Sequence, residues 1–165
     1  GVMGMSAGGH LAMMAGVTSD STLLGLSLGC KGRRSDVKAV VSLYGPADLI
    51  AIPPQLAVNG CARDPMMDSS LMKVLGLTTL TTAQDSIKVA SFSPVNNIRR
   101  VVPLAMWNGD VDCIVPFQQM TNMQRAMALR GGVVQVNIAH GFAHGIQDST
   151  IADSASGFLY ARLSH

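Results

Sequence analysis

The chain has 165 residues, of which 48% are hydrophobic and 13% are charged, and its formal net charge is +2. A chain this apolar is not intrinsically disordered, and its length suits one domain with a sizeable core. The small net charge gives no electrostatic case for binding nucleic acid, and no apolar run approaches the ~18–20 residues of a membrane span.

The first third of the chain alternates strand-like and helix-like segments. Residues 1–6 are short, apolar and bounded by glycine, which is typical of a buried strand, and residues 10–17 then favour a helix rich in small residues. Gly8 and Gly9 suit a tight turn between the two. Residues 37–45 are β-branched and apolar and end at Gly-Pro, which predicts a second strand.

Residues 47–100 are less regular and contain Pro53, Pro54 and Pro65. A helix is predicted from a cap at Ser69 or Ser70 through Leu75, and a polar segment that ends at Pro94 follows it. We interpret residues 47–100 as an insertion that caps one edge of the sheet.

The last third resumes the alternation. A strand is predicted over 101–109, a helix over 116–130, a strand over 133–139 and a closing helix over 146–163. This order predicts an α/β protein with a mostly parallel sheet and helices on both faces.

The sharpest motif is Gly4-Met5-Ser6-Ala7-Gly8, which fits the pattern G-x-S-x-G. In that pattern the serine lies on a strained turn between a strand and a helix, and we expect both glycines to be required because side chains there would collide with backbone. The flanking strand and helix favour a nucleophilic serine over a plain turn. The dinucleotide-binding pattern G-x-G-x-x-G is absent at this turn.

A serine nucleophile needs a histidine base that follows it in the chain. Of the four histidines, His10 is expected to pack inside a helix and His165 is the last residue. His140 and His144 both follow the strand over 133–139. His144 is favoured because it lies further out, in a loop flanked by glycines.

The histidine in turn needs a carboxylate partner. Asp110 and Asp112 follow the strand over 101–109, and either one could accept a hydrogen bond from the imidazole. Asp48 follows the preceding strand, but it is more typical of a turn-forming residue after Gly-Pro.

Five ordered blocks resemble one family: GMSAGGHLA, VKAVVSLYGPADL, SFSPVNNI, NGDVDCIVPFQQM and GFAHG. They are similar to α/β-hydrolase esterases of the group that includes bifunctional feruloyl and acetyl-xylan esterases, carboxylesterases and prolyl-oligopeptidase-like relatives. The resemblance spans about residues 1 to 146 and implies Ser6 as nucleophile, Asp112 as acid and His144 as base. Trp107-Asn108 departs from the Leu-His usual in that group, and the cap is unusually rich in methionine.

The resemblance implies hydrolysis of carboxylic esters through an acyl-enzyme, with the backbone N–H of Ala7 in the oxyanion hole, a small-molecule ester as substrate and no cofactor. A peptidase or amidase of the same fold, or a truncated non-catalytic binding module, are the alternatives. Members of the group carry about four strands before the serine, so we expect this chain to be the C-terminal portion of one α/β-hydrolase domain. Expressed alone, it is expected to be aggregation-prone and nearly inactive.

The remaining signals are weaker. Cys30, Cys61 and Cys113 have no spacing typical of a metal site, and a bridge between Cys30 and Cys61 is possible. The basic segments 30–34 and 99–100 are typical of surface turns. Three cap methionines could line an acyl pocket, although plain packing explains them as well: Met66, Met67 and Met72. No signal peptide is visible, and the sequence gives neither the compartment nor the oligomeric state.

Overall fold

A computed structural model describes residues 1–18 and 36–164. Its centre is a four-stranded parallel sheet in which neighbours in space are also successive in the chain. The strands are β1 (Val2–Met5), β2 (Val40–Leu43), β3 (Leu104–Gly109) and β4 (Val134–Ala139). Since all four run in the same direction, their carboxyl ends lie along one edge of the sheet. The predicted parallel α/β architecture is confirmed, with strands somewhat shorter than the sequence pattern indicated.

Six α-helices lie in the same ranges. They are α1 (Ala7–Thr18), α2 (Ile52–Val58), α3 (Pro65–Leu75), α4 (Ala83–Ser91), α5 (Gln118–Ala128) and α6 (Ser149–Leu163). Short 3-10 turns at Leu49–Ala51 and Pro94–Asn96 flank the three middle helices. Within the described ranges, no helix is long and apolar enough to cross a membrane.

Side-chain alternation along the strands divides the core into two layers. On one face, Val40, Leu104 and Met106 pack with apolar residues of α1 and α5. On the other face, Val41 and Trp107 pack with residues that include α6. Successive strand residues point to opposite faces, so one apolar strand serves both layers. Helices therefore cover both faces, as predicted.

The start of α3 differs from the sequence prediction. The helix begins at Pro65 and not at Ser69 or Ser70, because the Asp64 side chain accepts a hydrogen bond from the Met66 N–H and caps it. Proline suits the first helical position, where an N–H would have no partner. The motif Asp-Pro was the stronger start signal.

Helices α2 to α4 and the 3-10 turn before them, all in the segment between β2 and β3, form a small apolar cluster of their own. Its buried residues are Leu49, Ile52, Leu56, Leu75 and Val89. Helix α4 begins with a capping box in which Thr82 and Asp85 exchange backbone and side-chain hydrogen bonds. We refer to residues 49–93 as the cap.

A disulfide joins Cys61 in the cap to Cys113, with Cα atoms 5.4 Å apart, well within the usual range. The bridge between Cys30 and Cys61 that the sequence left open is therefore wrong, because Cys61 pairs with Cys113. Cys30 and the basic segment 30–34 lie outside the described residues. The disulfide ties the cap to the loop that follows β3.

Strand β1 forms one edge of the described sheet, and its Met3 and Met5 side chains are 48% and 57% exposed. An apolar strand with a single neighbour is a template for further pairing. The expected tendency to aggregate stays a prediction.

We predict that Cys61→Ser and Cys113→Ser each lower the free energy of unfolding by the same amount. The bridge closes a loop across 52 residues, so the chain-entropy model gives about 4 kcal/mol for its loss. Urea unfolding of the full-length protein measures this. A reducing agent should destabilise the wild type equally and leave Cys113→Ser unchanged. A mass that shows three free thiols in the oxidised protein would contradict the bridge.

We also predict a pH-dependent stability that involves His10. Its Nδ1 lies 3.0 Å from the Pro46 carbonyl oxygen, and burial lowers its pKa below 6.5. Below about pH 6.5 His10 binds a proton more readily in the unfolded chain than in the folded protein. The free energy of unfolding therefore falls as the pH drops. His10→Asn keeps a donor for Pro46 but does not titrate. The wild-type loss of stability from pH 7.5 to 5.5 should exceed that of the variant, and parallel profiles would contradict the assignment.

Candidate active site

Ser6 lies on the turn between β1 and α1 in a strained conformation. Its φ is 51°, a left-handed value that non-glycine residues rarely adopt. The Ser6 N–H donates to the Leu43 carbonyl of β2, 2.9 Å away, which continues the sheet pairing one residue past the strand. The turn places the hydroxyl at the carboxyl edge of the sheet, as expected for a G-x-S-x-G motif.

The glycines around Ser6 differ in what they allow. A Cβ on Gly4 would lie 2.1 Å from the Gly8 carbonyl oxygen, so a side chain is excluded there. The expectation that Gly8 is required for the same reason is wrong, because a Cβ on Gly8 would meet nothing within 4 Å. The crowded glycine is Gly9, where a Cβ would lie 3.0 Å from the Gly45 Cα. Close packing of α1 on the loop after β2 is the physical reason.

The structure brings Ser6, His144 and Asp112 into one hydrogen-bonded chain. Ser6 Oγ lies 2.9 Å from His144 Nε2, and His144 Nδ1 lies 2.9 Å from Asp112 Oδ2. Because a carboxylate can only accept, Nδ1 carries the proton, and Nε2 is free to accept from the serine hydroxyl. These three residues come from the ends of three strands, β1, β3 and β4.

Asp112 is fixed by contacts of its own. Its side chain is fully buried, and its Oδ1 accepts from the N–H groups of Ile114 and Val115 at 2.8 and 2.9 Å. The Asn108 side chain also lies on Oδ2, at 3.4 Å, and donates to the Val115 carbonyl. Asn108 stands where the similar family usually has histidine, and here its side chain contacts the Asp112 carboxylate.

Tyr44 is a site residue that the sequence reasoning missed. Its ring packs edge-on against the His144 imidazole, with centroids 4.8 Å apart. Burial, and secondarily the negative charge of Asp112, raises its pKa. Tyr44 also has a positive φ of 41°. The Tyr-Gly-Pro sequence after β2 was a usable signal, because it places an aromatic ring at the same sheet edge.

The alternative acids and bases lie elsewhere. Asp110 and His140 pair with each other, with Oδ2 and Nδ1 2.8 Å apart. Asp48 accepts from the Asn122 side chain and makes no side-chain cap for the turn that follows it. His10 packs inside α1, as predicted, and His165 lies outside the described residues.

Ala7 is the first residue of α1, so its N–H has no acceptor within the helix. This donor and the positive end of the helix dipole lie directly behind Ser6. Such a position can stabilise negative charge that develops on an atom bonded to the serine oxygen. Together with the Ser6–His144–Asp112 chain, it places a hydroxyl, an imidazole, a carboxylate and one free N–H donor at the same edge of the sheet.

The weaker candidates have structural positions. Met66 is 75% exposed, and Met67 packs on the cap cluster. The backbone N–H groups of Arg99 and Arg100 both donate to the Val17 carbonyl. Among residues 1–18 and 36–164, no three or more histidine, cysteine or acidic side chains are grouped to hold a metal ion.

Three solved structures illustrate the fold similarity. A truncated carbohydrate esterase from gut microbiota superposes with a TM-score of 0.68 at 24% identity, covering 96% of this chain and 58% of that one. An acetyl ester-xyloside bifunctional hydrolase from Caldicellulosiruptor lactoaceticus gives 0.67 at 20%, covering 98% and 54%. A puromycin-hydrolyzing peptidase from Mycobacterium tuberculosis gives 0.71 at 20%, covering 98% and 21%.

These similarities establish an α/β-hydrolase fold. The chain spans 58% of the carbohydrate esterase and smaller shares of the other two. No match was found among curated protein sequences. The BD-FAE family model, which describes an esterase-type domain, matches residues 1–127 and thus well over half of the chain. The chain belongs to the BD-FAE family.

Proposed function

We propose that the protein hydrolyses carboxylic esters through an acyl-enzyme on Ser6. The observation that carries this proposal is the chain of two 2.9 Å hydrogen bonds from Ser6 to His144 and on to Asp112. The match to an esterase-type family model supports it, since the matched residues 1–127 cover Ser6 and Asp112.

In the first half-reaction, Ser6 Oγ forms a bond to the ester carbonyl carbon while His144 Nε2 takes the hydroxyl proton. The carbonyl oxygen becomes an oxyanion, which accepts from the Ala7 N–H. The C–O bond to the alcohol then breaks, and His144 returns its proton to the departing oxygen.

In the second half-reaction, water replaces the alcohol. His144 takes a proton from the water as its oxygen bonds to the acyl carbon, and then returns it to Ser6 Oγ as the acid leaves. Throughout, Asp112 holds the imidazole with Nδ1–H towards itself and stabilises the imidazolium. Hydrogen bonds from the Ile114 and Val115 N–H groups keep that carboxylate in place.

The proposed substrates are short acyl or aryl esters, including the acetyl or feruloyl esters of plant polysaccharides. The similar family and the two carbohydrate-directed structural relatives support this class. A peptidase activity is the second candidate, because the same fold occurs in a puromycin-hydrolyzing peptidase. A non-catalytic module is the third, and loss of the serine would not change its behaviour.

We predict that Ser6→Ala lowers hydrolysis of a short aryl acetate by the full-length protein on the order of 10⁶-fold, as for loss of a triad nucleophile. Asp112→Asn should cost about 10⁴-fold, because the amide favours the wrong imidazole tautomer. Ser154→Ala is the control, since Ser154 is exposed on α6 and its hydroxyl donates to the Thr150 carbonyl of the same helix. Wild-type turnover in Ser6→Ala would exclude Ser6 as nucleophile.

We predict in addition that a slowly deacylating aryl ester leaves an acyl group on the peptide that contains Ser6. Mass spectrometry after acid quenching detects the added mass, and Ser6→Ala supplies the matched blank. Rates on acyl esters compared with prolyl amides separate an esterase from a peptidase. If the prolyl amide were hydrolysed faster than the ester, a peptidase activity would replace the proposed esterase activity.

A further inference from the structure

A second aspartate–histidine pair lies beside the first. The Asp110 carboxylate accepts from the Gly141 N–H at 2.7 Å through Oδ1 and lies 2.8 Å from His140 Nδ1 through Oδ2. Both partners belong to residues 140–145, which we call the histidine loop because it carries His144. One carboxylate therefore holds the base of this loop by two bonds.

The histidine loop has little regular structure of its own to fix His144. It connects β4 to α6, and both Gly141 and Gly145 have positive φ values, 77° and 93°. Glycine readily adopts positive φ values, and it adopts other backbone conformations just as readily. The position of His144 therefore depends on contacts that the loop makes with its neighbours.

Those contacts converge on the turn after β3. The Val111 N–H donates to the Phe142 carbonyl at 3.2 Å, and the Asp110 N–H donates to the Ala139 carbonyl at 3.3 Å. The Phe142 carbonyl also occupies the space that a Cβ on Gly109 would need. The two bonds of the Asp110 carboxylate are shorter than these backbone bonds. Asp110 lies only two residues before Asp112 in the chain.

We propose that Asp110 is a positioning residue for His144: it anchors the histidine loop through the Gly141 N–H, and so keeps the imidazole in register with Asp112 and Ser6. This inference rests on the proposed function and deepens it. A carboxylate bonded to a backbone N–H is a strong, charge-assisted contact. Both bonds lower the pKa of Asp110, and the bond from the His140 side chain is the larger cause.

The bond to Gly141 carries the positioning, and the partnership with His140 contributes little. The His140 side chain is 82% exposed, and ion pairs in that setting are weak. The Gly141 N–H, in contrast, is part of the loop backbone, so holding it fixes where the loop starts. A shift of about 1 Å in a catalytic group can cost on the order of 10²-fold in rate.

Steady-state kinetics of the full-length protein on a short aryl acetate provide the first test. Asp110→Ala should lower kcat about 10- to 100-fold with KM within about threefold, because the proposed role acts on the position of His144 and not on the substrate. Asp110→Asn should stay within about fivefold of wild type, since its amide oxygen still accepts from Gly141. His140→Ala should stay within about threefold. Asp110→Ser replaces the alanine variant if that one fails to fold.

The control for a purely structural effect is Asp85→Ala. Asp85 also accepts from backbone N–H groups, those of Thr81 and Thr82, but it lies in the cap and makes none of the contacts to the histidine loop. It should lose thermal stability while its kcat per folded molecule is retained. If Asp110→Ala behaved in the same way, with reduced stability and unchanged kcat, the positioning role would be overturned.

A readout without turnover separates this inference from the proposed function. The proton shared by His144 Nδ1 and Asp112 should give a low-field proton NMR signal in the wild type and in Ser6→Ala. We expect the signal to be lost or displaced in Asp110→Ala and retained in His140→Ala. An unchanged signal in Asp110→Ala would overturn the inference. Absence of ester turnover in the wild type would instead refute the proposed function, and the NMR comparison would still decide the role of Asp110.

Discussion

The parallel alignment of the strands is the constraint on which the site depends. Ser6, Asp112 and His144 are separated by up to 138 residues in the chain, yet two hydrogen bonds join them. This is possible because each follows the carboxyl end of a strand, and parallel strands present those ends at one edge. An antiparallel β3 would carry its acid to the opposite edge. The common direction of the strands therefore brings these three side chains to one edge.

Close approach of backbone at that edge is the second requirement, and glycine meets it at two strands. After β1, the Gly8 carbonyl occupies the space above Gly4, and after β3 the Phe142 carbonyl occupies the space above Gly109. A methyl group at either position would push a functional loop outward. Gly4 thus sets the height of Ser6, and Gly109 sets the distance between the acid turn and the histidine loop.

The sequence predicted the strands and the outer helices from their apolar patterns, and it pointed to Ser6 and His144 from short motifs beside apolar runs. It left Asp110 and Asp112 as equal candidates for the acid, and only the family resemblance selected Asp112. It failed for contacts between segments that carry no recognised motif. The Cys61–Cys113 bridge depends on how the cap folds against the loop after β3, and no local pattern encodes that. The Tyr-Gly-Pro sequence after β2 indicates an aromatic ring at this edge, but not its contact with the His144 imidazole. The expectation that a side chain at Gly8 would collide with backbone failed for the same reason, since only the position of the loop at Gly45 shows that Gly9 is the crowded residue.

The two aspartate–histidine pairs show how burial assigns different roles to the same chemistry. Asp112 is fully buried and its histidine is 19% exposed, so the pair can polarise the serine hydroxyl in a medium of low dielectric constant. Asp110 is 30% exposed and its histidine 82%, so solvent screens that pair. No serine hydroxyl is bonded to His140 among the described contacts. What remains for Asp110 is its bond to the loop backbone, and this bond is the basis of the positioning role that we propose for it.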